Sequence, residues 1–197
     1  WIDAKSGKQH KIDTSIYDEE GIRQYTWSPN SEDIVYVKNN ENRYASLWHY
    51  NIDKKKVTRL TDEMTNEQNP TFSPDGQYLY FASSTNQGPS AFGLDLSTQE
   101  QPRRYGLYAL VLQQDGQSPL MPKLADEQAQ NKDADDEEQE TVETVIDTNN
   151  MQQRIVALPV PQRNYWNLTV ADDNNLYFIE GVQIGASVEI NGQPLMA

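Results

Sequence analysis

Two histidines, His10 and His49, are the only side chains that could act as the base of a Ser-His-acid catalytic device. Such a device needs the imidazole beside an activated serine, with a third group orienting the ring. His49 lies in the strand-like segment SLWHYNID, where we expect a packed or edge-exposed ring, and His10 lies in the polar turn SGKQHK, where we expect solvation. No serine lies in a G-x-S-x-G nucleophile elbow. The sequence therefore predicts no catalytic residues in this chain.

Carboxylates could bind a metal, and they are concentrated in one segment: eight acids and one lysine lie between residues 126 and 140. A calcium loop needs a glycine at its sharp turn, and no glycine lies between Gly116 and Gly181. The chain has no cysteine, which excludes disulfides and thiolate metal sites, and it has no glycine-rich phosphate loop. We therefore predict no metal and no cofactor, and we interpret residues 125–141 as a solvated, disordered insertion.

Arg103 and Arg104, followed by Tyr105, are the nearest feature to a recognition site. Paired guanidinium groups could hold a peptide carboxylate in bidentate fashion, and the tyrosine ring could stack on one of them. The alternative is that the two arginines neutralise acids on an acidic surface. These three residues are the predicted peptide contact.

The net charge of −14 excludes two classes of partner. Binding to nucleic acid or to an anionic membrane requires a basic protein surface, which displaces the counterions of the phosphate backbone or is attracted to the anionic lipids. No apolar run is long enough to span a bilayer. The chain begins at Trp1 rather than at a methionine, so we expect it to be a piece of a longer protein.

A repeated phrase indicates the elements that carry these residues. FSPDGQYLYF at residues 72–81 repeats WSPNSEDIVY at residues 27–36, with a spacing of 45 residues. The Pro-Asp-Gly portion predicts a hairpin turn, and the aromatic run after it predicts a strand. A weaker third copy places Asp172, Leu176 and Phe178 97 residues after Asp75, Leu79 and Phe81.

Each repeat unit contains four short strands in about 45 residues, the period of a propeller blade. We therefore predict an all-β fold, with β-propeller blades of four antiparallel strands in an incomplete ring of about three blades or parts of blades. Residues 1–24 are predicted to end a preceding blade, 25–68 to form a blade, 69–164 to form a blade with long insertions, and 165–197 to begin a further blade. The unpaired faces and edges of such a piece predict self-association.

The same phrases resemble a known family. WSPNSEDIVYVK and FSPDGQYLYFAS are similar to the Pro-Asp repeats of TolB-like propellers. Their order, followed by AFGLDL, YGLYALVL and RIVALPVPQRNYWNL, resembles the second propeller of tricorn-type serine peptidases over roughly Gln24 to Glu180. The resemblance implies a non-catalytic segment that contributes scaffold and peptide access or gating to a catalytic core outside this chain.

Three further expectations follow from that resemblance. The longer protein would be a serine endopeptidase whose partner is a peptide or protein substrate. A periplasmic or secreted location is expected, with a cytoplasmic one left open, because bacterial relatives are often exported and archaeal ones are cytosolic. The alternatives are a TolB-like propeller that acts as a protein-protein interaction module and a propeller hydrolase of the prolyl oligopeptidase type, which RIVALPVP does not suggest.

Overall fold

The computed structural model describes residues 1–15, 24–91, 94–95, 104–122, 142–181, 188–190 and 193–195. Arg103 and the acidic stretch 125–141 lie outside these residues. The described chain is built from antiparallel strands, and its one helical element is a single 3-10 turn at Met151–Arg154. This confirms the predicted all-β class. No described helix has the length and apolar character needed to cross a membrane.

Sheet 1 consists of four strands in chain order. These are β1 (Tyr25–Trp27), β2 (Asp33–Asn39), β3 (Ala45–Asn51) and β4 (Lys56–Arg59), and each pairs antiparallel with the next. Successive residues of the central strands β2 and β3 point to opposite faces of the sheet, and both strands place apolar residues on each face. Neighbouring structure can therefore cover both faces.

Sheet 2 has the same order of pairing but carries long insertions. Its strands are β5 (Asn66–Phe72), β6 (Tyr78–Ser84), β9 (Gly106–Val111) and β10 (Ile155–Ala157). A short hairpin of β7 (Ser90–Ala91) and β8 (Leu94–Asp95) lies in the connection between β6 and β9. The insertions therefore leave the four-stranded arrangement unchanged.

A third unit follows with two described strands, β11 (Tyr165–Val170) and β12 (Leu176–Glu180), which we call sheet 3. Further along the chain, β13 (Val188–Ile190) pairs with β14 (Gln193–Leu195) in the register Ile190 to Gln193. This register leaves two residues, Asn191 and Gly192, between the strands in the sequence, a pair typical of a two-residue hairpin.

The corner before the second strand is the same in sheets 1 and 2. In sheet 2, Ser73 Oγ donates to Asp75 Oδ1 at 2.5 Å and accepts from the backbone N–H of Tyr78 at 2.9 Å. In sheet 1, Ser28 Oγ makes the matching bonds, to Asn30 Oδ1 at 2.6 Å and from Asp33 N–H at 2.9 Å. The repeated phrase therefore encodes a hydrogen-bonded corner as well as a strand.

The third corner is one residue shorter. Ala171 N–H donates to Asn175 O at 3.1 Å, four residues on, whereas Ser73 N–H reaches Tyr78 O, five residues on, at 2.9 Å. Alignment at a spacing of 97 equates Asp172 with Asp75. The structure instead gives the capping role to Asp173, whose Oδ1 accepts from Asn175 N–H at 3.0 Å as Asp75 Oδ1 accepts from Gln77 N–H at 3.0 Å.

Two apolar layers join the three sheets face to face. The larger layer lies between sheets 1 and 2 and includes Val35, Leu47, Leu79 and Phe81. The second lies between sheets 2 and 3 and is built from Ala82, Leu107, Tyr165 and Leu168, among others. Each sheet is thus stabilised by its neighbours, as in stacked repeat architectures.

The first strands of successive sheets are also tied by side-chain hydrogen bonds. Gln24, just before β1, accepts the backbone N–H of Asn69 on β5 through Oε1 at 2.6 Å. Gln68 Nε2 on β5 donates to the carbonyl of Tyr165 on β11 at 2.8 Å. Asn69 and Asn167 mark the same bulge in β5 and β11, with φ of 53° and 55°. These ties run from sheet 1 through sheet 2 to sheet 3.

Residues 1–15 cover part of the remaining face of sheet 1. Ile2 and Gln9 form an antiparallel bridge, and Trp1 packs against the layer that contains Ile34 and Tyr36. His10 stacks on the Trp1 indole with ring centroids 4.1 Å apart. The expectation of a solvated His10 is therefore wrong, because the hairpin brings its ring onto an aromatic face.

Candidate functional site

The predicted peptide contact is only partly described. Arg104 is exposed, whereas Tyr105 is buried in the layer between sheets 2 and 3. The phenol of Tyr105 donates to Gln87 Oε1 at 2.9 Å, and its backbone bridges that of Arg163. Of the two members of this contact that the structure describes, Tyr105 therefore has its ring packed inside the protein, and Arg104 is exposed to solvent. A peptide contact at this place stays a prediction.

A buried histidine-carboxylate pair lies at one end of the boundary between sheets 1 and 2. His49 Nε2 lies 2.6 Å from Asp33 Oδ1, and Asn51 Nδ2 donates to the same oxygen at 2.7 Å. The register of β2 and β3 produces this cluster, because Asp33 is opposite Asn51 and Val35 is opposite His49. These side chains share one face, as alternate residues of a strand do.

The pair lacks the parts of a catalytic device. His49 Nδ1 is buried and has no hydrogen-bond partner among the described residues, so no hydroxyl of that part of the chain is positioned for deprotonation by this ring. No group of three metal-ligating side chains occurs within the described ranges. The cluster therefore joins the ends of β2 and β3, in agreement with the expected packed role for His49. Sequence reasoning missed Asp33, for which the only signal was an acid next to Glu32 at the start of a predicted strand.

A polar cleft of about 670 Å³ opens beside this pair. One wall is the corner of sheet 1, and the opposite wall is the extended segment 142–148, whose Thr144 carbonyl accepts from Asn30 Nδ2 at 3.4 Å. Charged side chains of both signs line it: Glu32, Asp53, Lys54, Lys56, Glu143 and Asp147. The cleft has the polarity of a binding surface and contains no nucleophile paired with a base.

A second buried acid, Glu67, lies on β5 at the boundary between sheets 1 and 2. Its Oε1 accepts hydrogen bonds from the hydroxyls of Thr65 and Ser83, and its Oε2 is buried with no hydrogen-bond partner within the described ranges. Burial raises the pKa of Glu67 to about 7, although the two hydroxyl donors act in the opposite direction. No local sequence pattern indicates this buried acid, because a glutamate in TNEQNPTF resembles a surface residue.

Stacked four-stranded antiparallel sheets, each entered over the same serine-anchored corner and tied through their first strands, define a β-propeller. The family follows from comparison of the sequence. A family model described as "Tricorn protease second beta propeller domain" matches residues 1–192. The chain belongs to that family, and the resemblance inferred from the repeats is confirmed.

Two archaeal relatives cover most of the chain. A tricorn protease homolog from Saccharolobus solfataricus is 28% identical over 168 residues, which are 84% of this chain and 14% of the relative. A Tricorn-like protease C-terminal subunit from Sulfurisphaera tokodaii is 26% identical over 168 residues, which are 84% of this chain and 17% of that protein. The chain thus spans less than a fifth of the length of either relative.

A solved structure agrees on the fold. The crystal structure of the tricorn protease matches with a TM-score of 0.58 and 22% identity, covering 85% of this chain and 15% of that one.

Proposed function

We propose that this chain is a non-catalytic propeller segment of a tricorn-like serine peptidase, which supplies scaffold and controls the access of peptides to a catalytic core elsewhere in a longer polypeptide. The observation that carries the proposal is the set of ties between first strands, from Gln24 to Asn69 and from Gln68 to Tyr165. In a propeller the first strands surround the central channel, so these bonds hold the channel wall at fixed spacing.

The chemistry of the described residues also supports a non-catalytic role for this segment, with the catalytic core elsewhere. The buried pair of His49 and Asp33 has no nucleophile beside it in the part of the chain that the structure describes, and the relatives named as proteases are several times longer than this chain. Catalysis is therefore assigned to other parts of the longer protein, and this segment supplies shape and charge.

The charge defines the expected selectivity. With a net charge of −14, the segment repels acidic peptides and favours basic or neutral ones. This discrimination acts through solvent, so it should weaken as the Debye length shortens from about 10 Å at 0.1 M salt to about 3 Å at 1 M.

The proposal is tested with the purified chain and with the complete gene product, using fluorogenic peptides of three and of about twenty residues. The isolated chain should leave both intact. In the complete protein, Gln68→Met removes one tie, and we expect it to change kcat/KM for the long peptides and not for the tripeptide. Gln153→Met, at an exposed glutamine, is the matched control. Hydrolysis by the isolated chain, or an equal effect of Gln68→Met on both substrates, would overturn the proposal.

A further inference from the structure

The polar cleft beside His49 lies inside the stack of sheets and not at either end of it. Sheets 1 and 2, which bound it, each have four described strands. Its floor is the side of sheet 1 that carries Val35 and faces sheet 2, where Asn51 is opposite Lys56 and His49 is opposite Thr58. The third and fourth strands supply most of this floor. The cleft is therefore separate from the first strands, which surround the channel in a propeller.

The opposite wall is an extended segment whose backbone is largely unpaired. Within residues 142–148, the N–H of Asp147 donates to Leu112 O at 3.0 Å, and the other backbone N–H groups make no hydrogen bond within the described ranges. The corner of sheet 2 backs this segment at Gly76, where an added Cβ would lie 2.6 Å from Thr144 Oγ1. An extended backbone with free N–H and C=O groups can pair with another extended chain.

Two buried polar atoms on facing walls of the cleft, His49 Nδ1 and Thr144 Oγ1, have no hydrogen-bond partner among the described residues. Both residues line the cleft, and each is 6% exposed. Because the Asp33 carboxylate beside His49 Nε2 can only accept, Nε2 carries the proton, and Nδ1 of the neutral ring is an acceptor. An unpaired buried polar group costs about 1–3 kcal/mol. A molecule that offers hydrogen-bond donors is therefore favoured in this cleft.

The charges of the cleft favour a cationic molecule. Besides Asp33, the lining holds four acids and two lysines. Neither Lys54 nor Lys56 forms an ion pair with an acid in the part of the chain that the structure describes. Carboxylates that line a cleft in excess over cations raise the local concentration of basic groups.

We propose that this cleft binds an extended peptide that carries lysine or arginine, which pairs through its backbone with residues 142–148. The main-chain hydrogen bonds supply affinity, and alternate side chains of the peptide reach the acids of the cleft. Seven extended residues span about 23 Å, which is room for a peptide of similar length. The inference rests on the proposed function for the source of the peptide, a substrate of the longer protein that is held outside the channel.

The test is fluorescence anisotropy with the 197-residue chain and a labelled octapeptide of alternating lysine and threonine with blocked ends. A second peptide has glutamate in place of lysine. A third has all its backbone amides N-methylated, so that it keeps the charge of the first and cannot pair as a strand. In the protein, Asp53→Asn/Glu143→Gln removes two charges of the cleft, and Asp115→Asn/Asp172→Asn removes two exposed charges elsewhere as the control. Circular dichroism checks that both variants are folded.

We expect the lysine peptide to bind, the glutamate peptide not to bind, and the methylated peptide to bind at least about tenfold more weakly. Asp53→Asn/Glu143→Gln should weaken binding about fivefold or more, and the control variant should leave it unchanged.

No binding of the lysine peptide up to about 5 mM would overturn the proposal. Equal binding of the methylated peptide would do so too, as would an unchanged affinity of Asp53→Asn/Glu143→Gln, because attraction by the acids of residues 126–140 alone would give those results. The assay involves no cleavage, so its failure would leave the peptide-access experiment standing, and a failure of that experiment would leave the binding result standing.

Discussion

Ser31 and Gly76 occupy the same position in successive corners, with φ of 61° and 67°. The N–H of each donates to the carbonyl of the corner serine, Ser28 at 2.9 Å and Ser73 at 3.0 Å. One corner therefore holds a glycine in the left-handed region, and the other holds a serine that is strained there.

This relationship predicts opposite effects of two substitutions. Ser31→Gly should stabilise the chain by up to about 1 kcal/mol, because it relieves the left-handed backbone at an exposed site. Gly76→Ala should destabilise it by about 2 kcal/mol, since the added Cβ would lie 2.6 Å from Thr144 Oγ1 in a backbone conformation that alanine disfavours. Urea denaturation measures both, and a stabilising Gly76→Ala would contradict the explanation.

The buried His49–Asp33 pair predicts a non-additive effect on stability. Asp33→Ala leaves His49 and Asn51 without their shared acceptor and should cost about 1–3 kcal/mol, the cost of unsatisfied buried polar groups. His49→Ala should cost less, and the double variant should cost less than the sum by about 0.5–3 kcal/mol. Asp53→Ala, on the exposed rim of the same cleft, should be nearly neutral. Strict additivity in chemical denaturation would show that the pair is not coupled.

Glu67 predicts a loss of stability with rising pH. Its pKa of about 7 lies above the ordinary 4.5, so the folded chain binds the proton more tightly than the unfolded chain does between these values. The contribution of Glu67 to the free energy of unfolding should therefore be complete below pH 4.5 and be lost as the pH rises through 7, by at most about 3 kcal/mol. Glu67→Gln should remove this slope, and Glu143→Gln, at an exposed site, should keep it.

Asp13 predicts an acid-dependent release of the N-terminal hairpin. Burial would raise the pKa of Asp13, but hydrogen bonds from Lys38 Nζ at 2.7 Å and Tyr36 Oη at 2.8 Å outweigh it and lower the pKa below 3.8. The stabilisation is complete above that ordinary value and is lost as the pH falls through the lowered pKa. Asp13→Ala should release residues 1–15 at neutral pH, detected by limited proteolysis. Asp115→Ala is the control, and an unchanged cleavage rate in Asp13→Ala would contradict the role.

The sequence predicted the parts of the fold that repeat locally. The corner residues in segments 27–36 and 72–81 identify both turns and the strands that follow them. Serine and Asx side chains hydrogen-bond to nearby backbone groups in turns, and glycine adopts a positive φ without strain. Such signals need no knowledge of distant residues.

The features that depend on packing were not visible in the same way. Asp33 meets His49 only because the β2–β3 register brings them to one face, and the turn between the strands sets that register. Glu67 is buried only because sheet 1 covers β5, a contact that no local pattern encodes. Likewise, Tyr105 looked available for stacking until the bridge to Arg163 placed it beneath sheet 3.

The shortened corner at Ala171–Asn175 affects how further units of this kind can be recognised. Its capping acid, Asp173, follows Asp75 by 98 residues, whereas Leu176 follows Leu79 by 97. Asp173 still caps the turn and Leu176 still packs against the preceding sheet, as their counterparts do. Deletion of one residue there is absorbed by the turn and leaves the strand facing its neighbour. A sequence search that requires a fixed spacing between repeats would consequently miss diverged units. A search that scores the turn and the strand separately, and lets the number of residues between them vary, would find them.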